Sequence, residues 1–366
     1  MPACGYQGWN GRQAMDETIH HFLRETGPVL CLDIGSGTQD ALLARPGLEY
    51  ENWPRFVLPS PARLVAQRIR ELTLLRRGLW LHGGNMGGGF GQALKEHLAA
   101  GLSATATPDA AKAIHDNADV VRGMGVEFCE ECPKNSVPVF LTDYAPEFWA
   151  GLLRLSSLPQ PHLVLAGAQD HGYHAYGNRQ GRMQSWRALL TASADPASWI
   201  YSAPPSSLTR LLTLHEKTGG PVADTGACAL LGALCEPEVL ARSFREGITI
   251  INAGNSHTVA ALVYQGKVRG IYEHHTGMRD LEQLLEDLKQ LRLSWLPSEE
   301  VQASGGHGTA FGPFCEEAGG YAPTFILGPR RAMLQGQGRF LAPHGDMMLA
   351  GCFGLLWGWA HAHAAA

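Results

Sequence analysis

The segment LCLDIGSGTQDALL, residues 30 to 43, is an apolar strand that ends in Asp33 and runs at once into a Gly-x-Gly-Thr turn. A second segment, GITIINAGNSHTVAALVYQGKVRGIYEHH (247 to 275), obeys the same local grammar: an apolar strand, a polar glycine turn, then two more strands joined by QGK. Aligning Asp33 with Asn252 also aligns Gly35 with Gly254. After the first segment, DALLA and LEYENWPRFVL can pair as strands across the turn ARPG, so a β-hairpin rather than a helix follows the glycines. The spacing predicts a helix over PARLVAQRIRELTLL and another over MRDLEQLLEDLKQLRL, each with apolar residues at helical intervals. The first helix leads to a short strand, GLWLH, ending at Gly83-Gly84, and the second to EEVQAS, ending at Gly305-Gly306. Asp33 and Gly83 are 50 residues apart, and Asn252 and Gly305 are 53. The expected fold is therefore α/β, with a β-hairpin–helix–strand unit present twice and a cleft between the two copies.

A chain of 366 residues has room for two such lobes. The expected division is an N-terminal extension over 1–27, a first lobe over 28–155, and a second over 156–366 whose last helix returns toward the cleft. Charged residues are 17% of the chain and the net charge is −5, with no long Lys/Arg run, which argues against nucleic acid as a partner. The start of the chain lacks the pattern of a signal peptide, and the most apolar run, MMLAGCFGLLWGWA, is too short to span a bilayer. Several of the eight cysteines sit within apolar segments, as reduced core cysteines do. These features predict a cytoplasmic protein with no membrane contact.

An acidic strand end followed by glycines suits two chemistries. Methyltransferases that use S-adenosylmethionine place such a loop between a strand and a helix. Here Gln39 replaces the third glycine of that pattern, although Glu49 and Glu51 lie at a distance suited to a ribose contact. The other chemistry is phosphate binding, because tight glycine turns present backbone N–H groups without a Cβ in the way. Only the second has a use for the duplication.

In these motifs the chain resembles the superfamily of actin, sugar kinases, acetate kinase and the seventy-kilodalton chaperones, which carry two ribonuclease-H-like lobes with nucleotide between them. The resemblance implies ATP and Mg²⁺ as cofactors. DIGSGT looks like the first phosphate loop, with Gly35, Ser36, Gly37 and Thr38. NAGNSHT looks like the second, with Asn252, Gly254, Asn255, Ser256 and His257. SGGHGT looks like an adenosine loop, with Gly305, Gly306, His307 and Gly308, and HGDMMLAGCFGLLWG like the terminal helix beside the nucleotide. Asp33 would orient Mg²⁺ through its water shell. Asn252 stands where many relatives place an aspartate and brings no charge, which predicts slow turnover. GPVADTGACALLGAL is similar to the kinase segment that carries a catalytic aspartate, so Asp224 is a candidate general base, and equally a candidate helix N-cap.

LHGGNMGGGFG, TPDAAKAIHDNADVVRGMGVEF, LAGAQDHGY and ADTGACALLGAL further resemble a group within that superfamily sometimes labelled pyruvate formate-lyase activating enzyme-like. That label implies radical chemistry on an iron–sulfur cluster, which needs three closely spaced cysteines, whereas the chain offers Cys129-x-x-Cys132 as its one local pair.

Polar residues crowd the end of the strand LVLAGA, which usually marks a cleft. Gln169, Asp170, His171 and Arg179, with Asn85 from the glycine-rich HGGNMGGGFG, are therefore candidates for contact with a small-molecule substrate or a protein partner. His171-x-x-His174 supplies two potential metal ligands, too few to define a site. At 100° per residue, Gly351, Gly354 and Gly358 share one face of the terminal helix, which predicts close backbone approach there. The expected function is Mg-ATP binding with slow hydrolysis or phosphoryl transfer coupled to lobe closure. The alternatives are a non-catalytic, nucleotide-gated binding protein and an S-adenosylmethionine-dependent methyltransferase.

Overall fold

The computed structural model describes residues 11–174 and 178–364, the side chains of 11–14, 178, 179 and 364 excepted. The strands, in chain order, are β1 (Val29–Ile34), β2 (Thr38–Ala44), β3 (Arg55–Pro59), β4 (Gly78–Gly83), β5 (Ala104–Ala106), β6 (Val126–Phe128), β7 (Ser136–Leu141) and β8 (Leu163–Ala168). They continue as β9 (Ile200–Tyr201), β10 (Val222–Ala223), β11 (Ile248–Ala253), β12 (His257–Tyr264), β13 (Lys267–His275), β14 (Gly308–Phe311), β15 (Thr324–Leu327) and β16 (Arg339–Phe340).

They form a six-stranded sheet of order β3-β2-β1-β8-β10-β9, a second of order β14-β13-β12-β11-β15-β16, and a four-stranded sheet of order β6-β5-β4-β7. In the first, β1 pairs antiparallel with β2 and parallel with β8. In the second, β11 pairs antiparallel with β12 and parallel with β15. Each large sheet thus has its first strand near the middle, a meander on one side and, on the other, strands that run parallel to it, with β9 an added antiparallel edge in the first sheet. This is the ribonuclease-H-like layout, present twice. Because β1 turns back as the hairpin strand β2, the methyltransferase reading, which requires a helix after Gly37, is overturned.

Other expectations also change. Gly83 ends β4, which pairs with β5 and β7 in the separate small sheet, so it is not the counterpart of anything in the second lobe. Likewise, the loop at Gly305-Gly306 leads into β14, an antiparallel strand at the edge beside β13. The strands that flank β1 and β11 in parallel are β8 and β15, so the matched spacings of 50 and 53 residues are a coincidence of length. Since β8 and β10 complete the first sheet, that sheet extends to Ala223, and a boundary at residue 155 would divide it.

Among the described residues, the largest of four buried clusters joins the two large sheets. Val29 and Cys31 from β1, Ile248 and Ile250 from β11, and the helices Thr225–Leu234 and Ala350–Ala364 share one buried cluster. The first helix, TGACALLGAL, is buried on every face, which suits its lack of charge. Small residues let the two helices meet at backbone distance: a Cβ on Gly354 would lie 2.2 Å from the Cys228 carbonyl oxygen. Cys31, Cys228, Cys235 and Cys352 are buried free thiols. Among the described residues, no helix is long and apolar enough to cross a membrane.

Candidate functional site

The two hairpin turns have the same geometry. Gly35 N donates to the Thr38 carbonyl at 2.9 Å, and Gly254 N donates to the His257 carbonyl at 2.9 Å. The tips face each other. A Cβ on Gly37 would lie 2.4 Å from Asn255 Nδ2, and Ser256 Oγ donates to Ser36 Oγ at 2.6 Å. Beside this contact lies a cleft of about 450 Å³, lined by Gly35, Ser36 and Thr38 from one hairpin and by Asn252, Gly254, Asn255, Ser256 and His257 from the other. Asn85 to Gly89 supply part of a further wall. The residues expected on the two hairpin turns are therefore brought together.

One end of the cleft is acidic. Asp33 faces Asp40 across the β1–β2 ladder, on the same side of the sheet. Asp33 Oδ1 and Asp40 Oδ1 are both buried and have no hydrogen-bond partner, while Asp40 Oδ2 accepts from Thr38 Oγ1 at 3.2 Å. Burial first, then the charges of Asp40 and Asp224, push the Asp33 carboxyl well above its ordinary range. Burial likewise pushes Asp40 up to about 7, with Asp346 adding to it. Asp40 was not among the residues nominated from sequence. Its signal was the strand parity that places it opposite Asp33. The second hairpin has Val259 opposite Asn252, so its strand end carries no matching acid pair.

Asp224 is not free to act as a base. It caps the Thr225–Leu234 helix through Gly226 N at 2.8 Å, and both of its oxygens are held by Arg182, at 2.7 and 2.9 Å. Arg182 also donates to Glu273 Oε2 at 2.8 Å, joining the helix Asn178–Ala192 to both lobes. Burial alone would raise the Glu273 carboxyl, but the Arg182 guanidinium beside it holds it well below the usual range. Gln169, expected to meet substrate, donates instead to Glu273 Oε1 at 2.7 Å. Asp170 accepts from the backbone N–H groups of Gly172, Arg210 and Leu211, so its carboxylate organises a turn and the start of the helix Thr209–Thr218. Asn85 donates to Thr209 Oγ1 at 3.0 Å in the cleft wall. A buried pair missed from sequence, Arg210 with Asp143 at 2.6 Å, braces the same wall. Its partners are 67 residues apart, beyond any local signal.

The adenosine-loop assignment does not hold. Gly305, Gly306 and Gly308 lie outside the cleft lining, and a Cβ on Gly306 would strike the His274 ring at 2.3 Å. The segment that lines the cleft at this position is Leu327-Gly328-Pro329, at the end of β15. There Gly328 has φ +97°, and a Cβ would lie 2.3 Å from the Ala253 carbonyl oxygen. This loop corresponds to the end of β8 in the first lobe. The terminal helix does reach the cleft: Gly351 lines it, and a Cβ there would lie 2.0 Å from Asp33 Oδ2.

His307 joins His171, His257 and Glu273, where one ligand atom from each lies within 4.8 Å of the others. His174 is not part of that group, so the His171-x-x-His174 pairing is replaced by one assembled from distant segments. Burial lowers the affinity of His171 for a proton and pushes His257 down to about 3, so both are neutral at ordinary pH. Arg179 lies outside the described side chains.

No curated protein matches the sequence. Among solved structures, the chain is similar to one described as "a putative N-acetylmannosamine kinase" from Listeria monocytogenes, at 10% identity and a TM-score of 0.33, over 92% of this chain and 99% of that one. It is similar to the ethanolamine utilization protein EutJ from Carboxydothermus hydrogenoformans, at 9% identity and a TM-score of 0.26, over 94% and 98%. It is also similar to the Aquifex aeolicus member of the Ppx/GppA family, at 10% identity and a TM-score of 0.26, over 73% and 61%. Likeness this low carries nothing about activity, and the fold rests on the duplicated strand order itself. The family model described as "Putative pyruvate format-lyase activating enzyme (DUF1786)" matches residues 86–333, more than half of the chain, and the protein belongs to that family.

Proposed function

We propose that this protein binds Mg-ATP between the two hairpins and turns it over slowly, by hydrolysis or by phosphoryl transfer, with nucleotide state coupled to lobe closure. The observation that carries this reading is the pair of like glycine turns, one from each sheet, meeting beside an acid-lined cleft. The Gly35 and Gly254 N–H groups close the turns, so the backbone N–H groups of Ser36 and Gly37 on one side and Asn255 and Ser256 on the other would take phosphate oxygens. The buried, unpartnered oxygens of Asp33 and Asp40 fit a hydrated divalent cation, since phosphate placed beside two carboxylates needs a positive charge between them. Asp33 would hold Mg²⁺ through its waters, and the ion, when bound, supplies neutralisation of phosphate charge. The engagement of Asp224 with Arg182 and the amide at Asn252 favour a second, related reading, in which binding rather than turnover is the output.

The activity named in the family description implies an iron–sulfur cluster on three neighbouring cysteines. Among the described residues, the one group of three or more potential ligands contains histidines and a glutamate, and Cys129 and Cys132 gain no third cysteine. The donor set does not fit such a cluster.

The test is a thermal melt with Mg-ATP, Mg-ADP and no nucleotide, on wild type and Gly254→Val. A ligand at a hundredfold excess over its dissociation constant stabilises the folded state by roughly 2.7 kcal/mol. A Cβ at Gly254 would lie 2.7 Å from the His257 carbonyl oxygen, so the turn must open and the nucleotide-induced shift should vanish. The same shift in both proteins would refute the assignment of this hairpin, and no shift in wild type would refute nucleotide binding.

A further inference from the structure

The imidazoles of His171, His257 and His307 converge from three separate segments: the end of β8 in the first lobe, the start of β12, and the loop before β14 in the second. His257 Nε2 and His307 Nε2 are 3.1 Å apart. Two nitrogens bound to one tetrahedral ion at roughly 2.1 Å each stand about 3.4 Å apart, so this separation suits a shared ion as well as it suits an N–H···N bond. His171 adds an observation that an internal hydrogen bond does not explain. Its Nε2 is buried and has no partner, while its ring stacks on that of His307 with centroids 4.7 Å apart.

The fourth member, Glu273, is held as metal-binding carboxylates are, by donors behind it. Oε2 accepts from Arg182 at 2.8 Å and Trp186 at 2.9 Å, and Oε1 accepts from Gln169 at 2.7 Å. A carboxylate oxygen has two acceptor sites, so Oε1 keeps one. The charge also fits, since Arg182 with Asp224 and Glu273 sums to −1.

We infer that His171, His257 and His307, with Glu273, form a binding site for a divalent transition-metal ion of the zinc class in the cleft wall. Imidazole nitrogens with one carboxylate oxygen select such ions over Mg²⁺ or Ca²⁺, which take oxygen ligands. The site is separate from the acidic end at Asp33 and does not depend on nucleotide binding. It would tie the two lobes together, because His171 comes from the first and the other ligands from the second. His257 occupies the place in its hairpin that Thr38 has in the other, so the ion would also lie beside the second glycine turn.

The experiment uses the untagged full-length chain, stripped with a chelator and dialysed, then titrated with Co²⁺ and Zn²⁺. About one equivalent of Co²⁺ should bind and give the intense visible bands of a low-symmetry, four-coordinate ion, and Zn²⁺ should displace it. His257→Asn and His307→Gln should each weaken binding at least about 10-fold and bleach the bands, with far-UV circular dichroism checking that they remain folded. Absence of visible bands in the wild-type protein would overturn the site, and that result needs no variant. Bands that persist in the folded double variant His257→Asn/His307→Gln would overturn it too, because they would place the ion elsewhere.

Discussion

Replacing Arg182 with methionine isolates the charge that joins the lobes. The Arg182 side chain is 4% exposed, makes two bonds to Asp224, one to Glu273 and one to the Asp170 carbonyl, and lies over the Trp186 ring at 4.6 Å. Methionine keeps most of the hydrocarbon and removes the guanidinium. Asp224 retains backbone donors at Gly226 and Asp170, while Glu273, whose side chain is fully buried, keeps Gln169 and Trp186 among the described residues. The local charge goes from −1 to −2 without access to water. Breaking a buried pair in this way costs about 3–5 kcal/mol. The cost should depend on pH with a definite sign. In wild type the depressed Glu273 carboxyl contributes stability above its unfolded range and loses that contribution as pH falls. In Arg182→Met the same carboxyl, stripped of its cation, binds a proton more readily than the unfolded chain does. The difference between the proteins should therefore shrink as pH falls from the alkaline side toward the range in which unfolded carboxylates titrate. Urea unfolding followed by tryptophan fluorescence, with chelator present, measures it. Arg182→Met/Glu273→Gln should recover part of the loss, since the second change removes the stranded charge. A cost under about 1 kcal/mol near pH 8, or one that does not change with pH, would refute the view of Arg182 as the compensating charge.

Asp33→Asn should lower phosphate release from ATP by about 10²-fold or more while changing nucleotide affinity much less, read by steady-state assays across a Mg²⁺ titration. Gly354→Ala should destabilise the protein by about 1–3 kcal/mol in chemical unfolding, although alanine is the better helix former by about 1 kcal/mol, because its Cβ meets the Cys228 carbonyl oxygen and Gly232 N. Between 3.8 and about 7 the folded state holds the Asp40 proton that the unfolded chain has released, so stability falls as pH rises through that window. The full effect is roughly 4 kcal/mol at most, and Asp40→Asn should flatten the profile of unfolding midpoint against pH.

What the sequence alone determined was local. Strand alternation, glycine turns and helical periodicity are short-range properties, and they were enough to place both hairpins, align Asp33 with Asn252, and put a close-packing glycine face on the terminal helix. The same grammar led to a duplicated α/β fold, because two copies of one hairpin need two like sheets to carry them. Tertiary structure decided which strand lies beside each hairpin. Parallel pairing is made across long connections, and nothing local distinguishes β8 from β4 as the neighbour of β1, or β15 from β14 as the neighbour of β11. The adenosine-loop assignment failed for that reason. The functions of single polar residues were decided there too. Asp224 could cap a helix or accept a proton until Arg182, 42 residues away, was seen to occupy both its oxygens. The histidine cluster is the clearest case: His171, His257 and His307 have no sequence spacing in common, and while strand pairing within the second sheet gathers His257 and His307, only the packing of one lobe against the other adds His171.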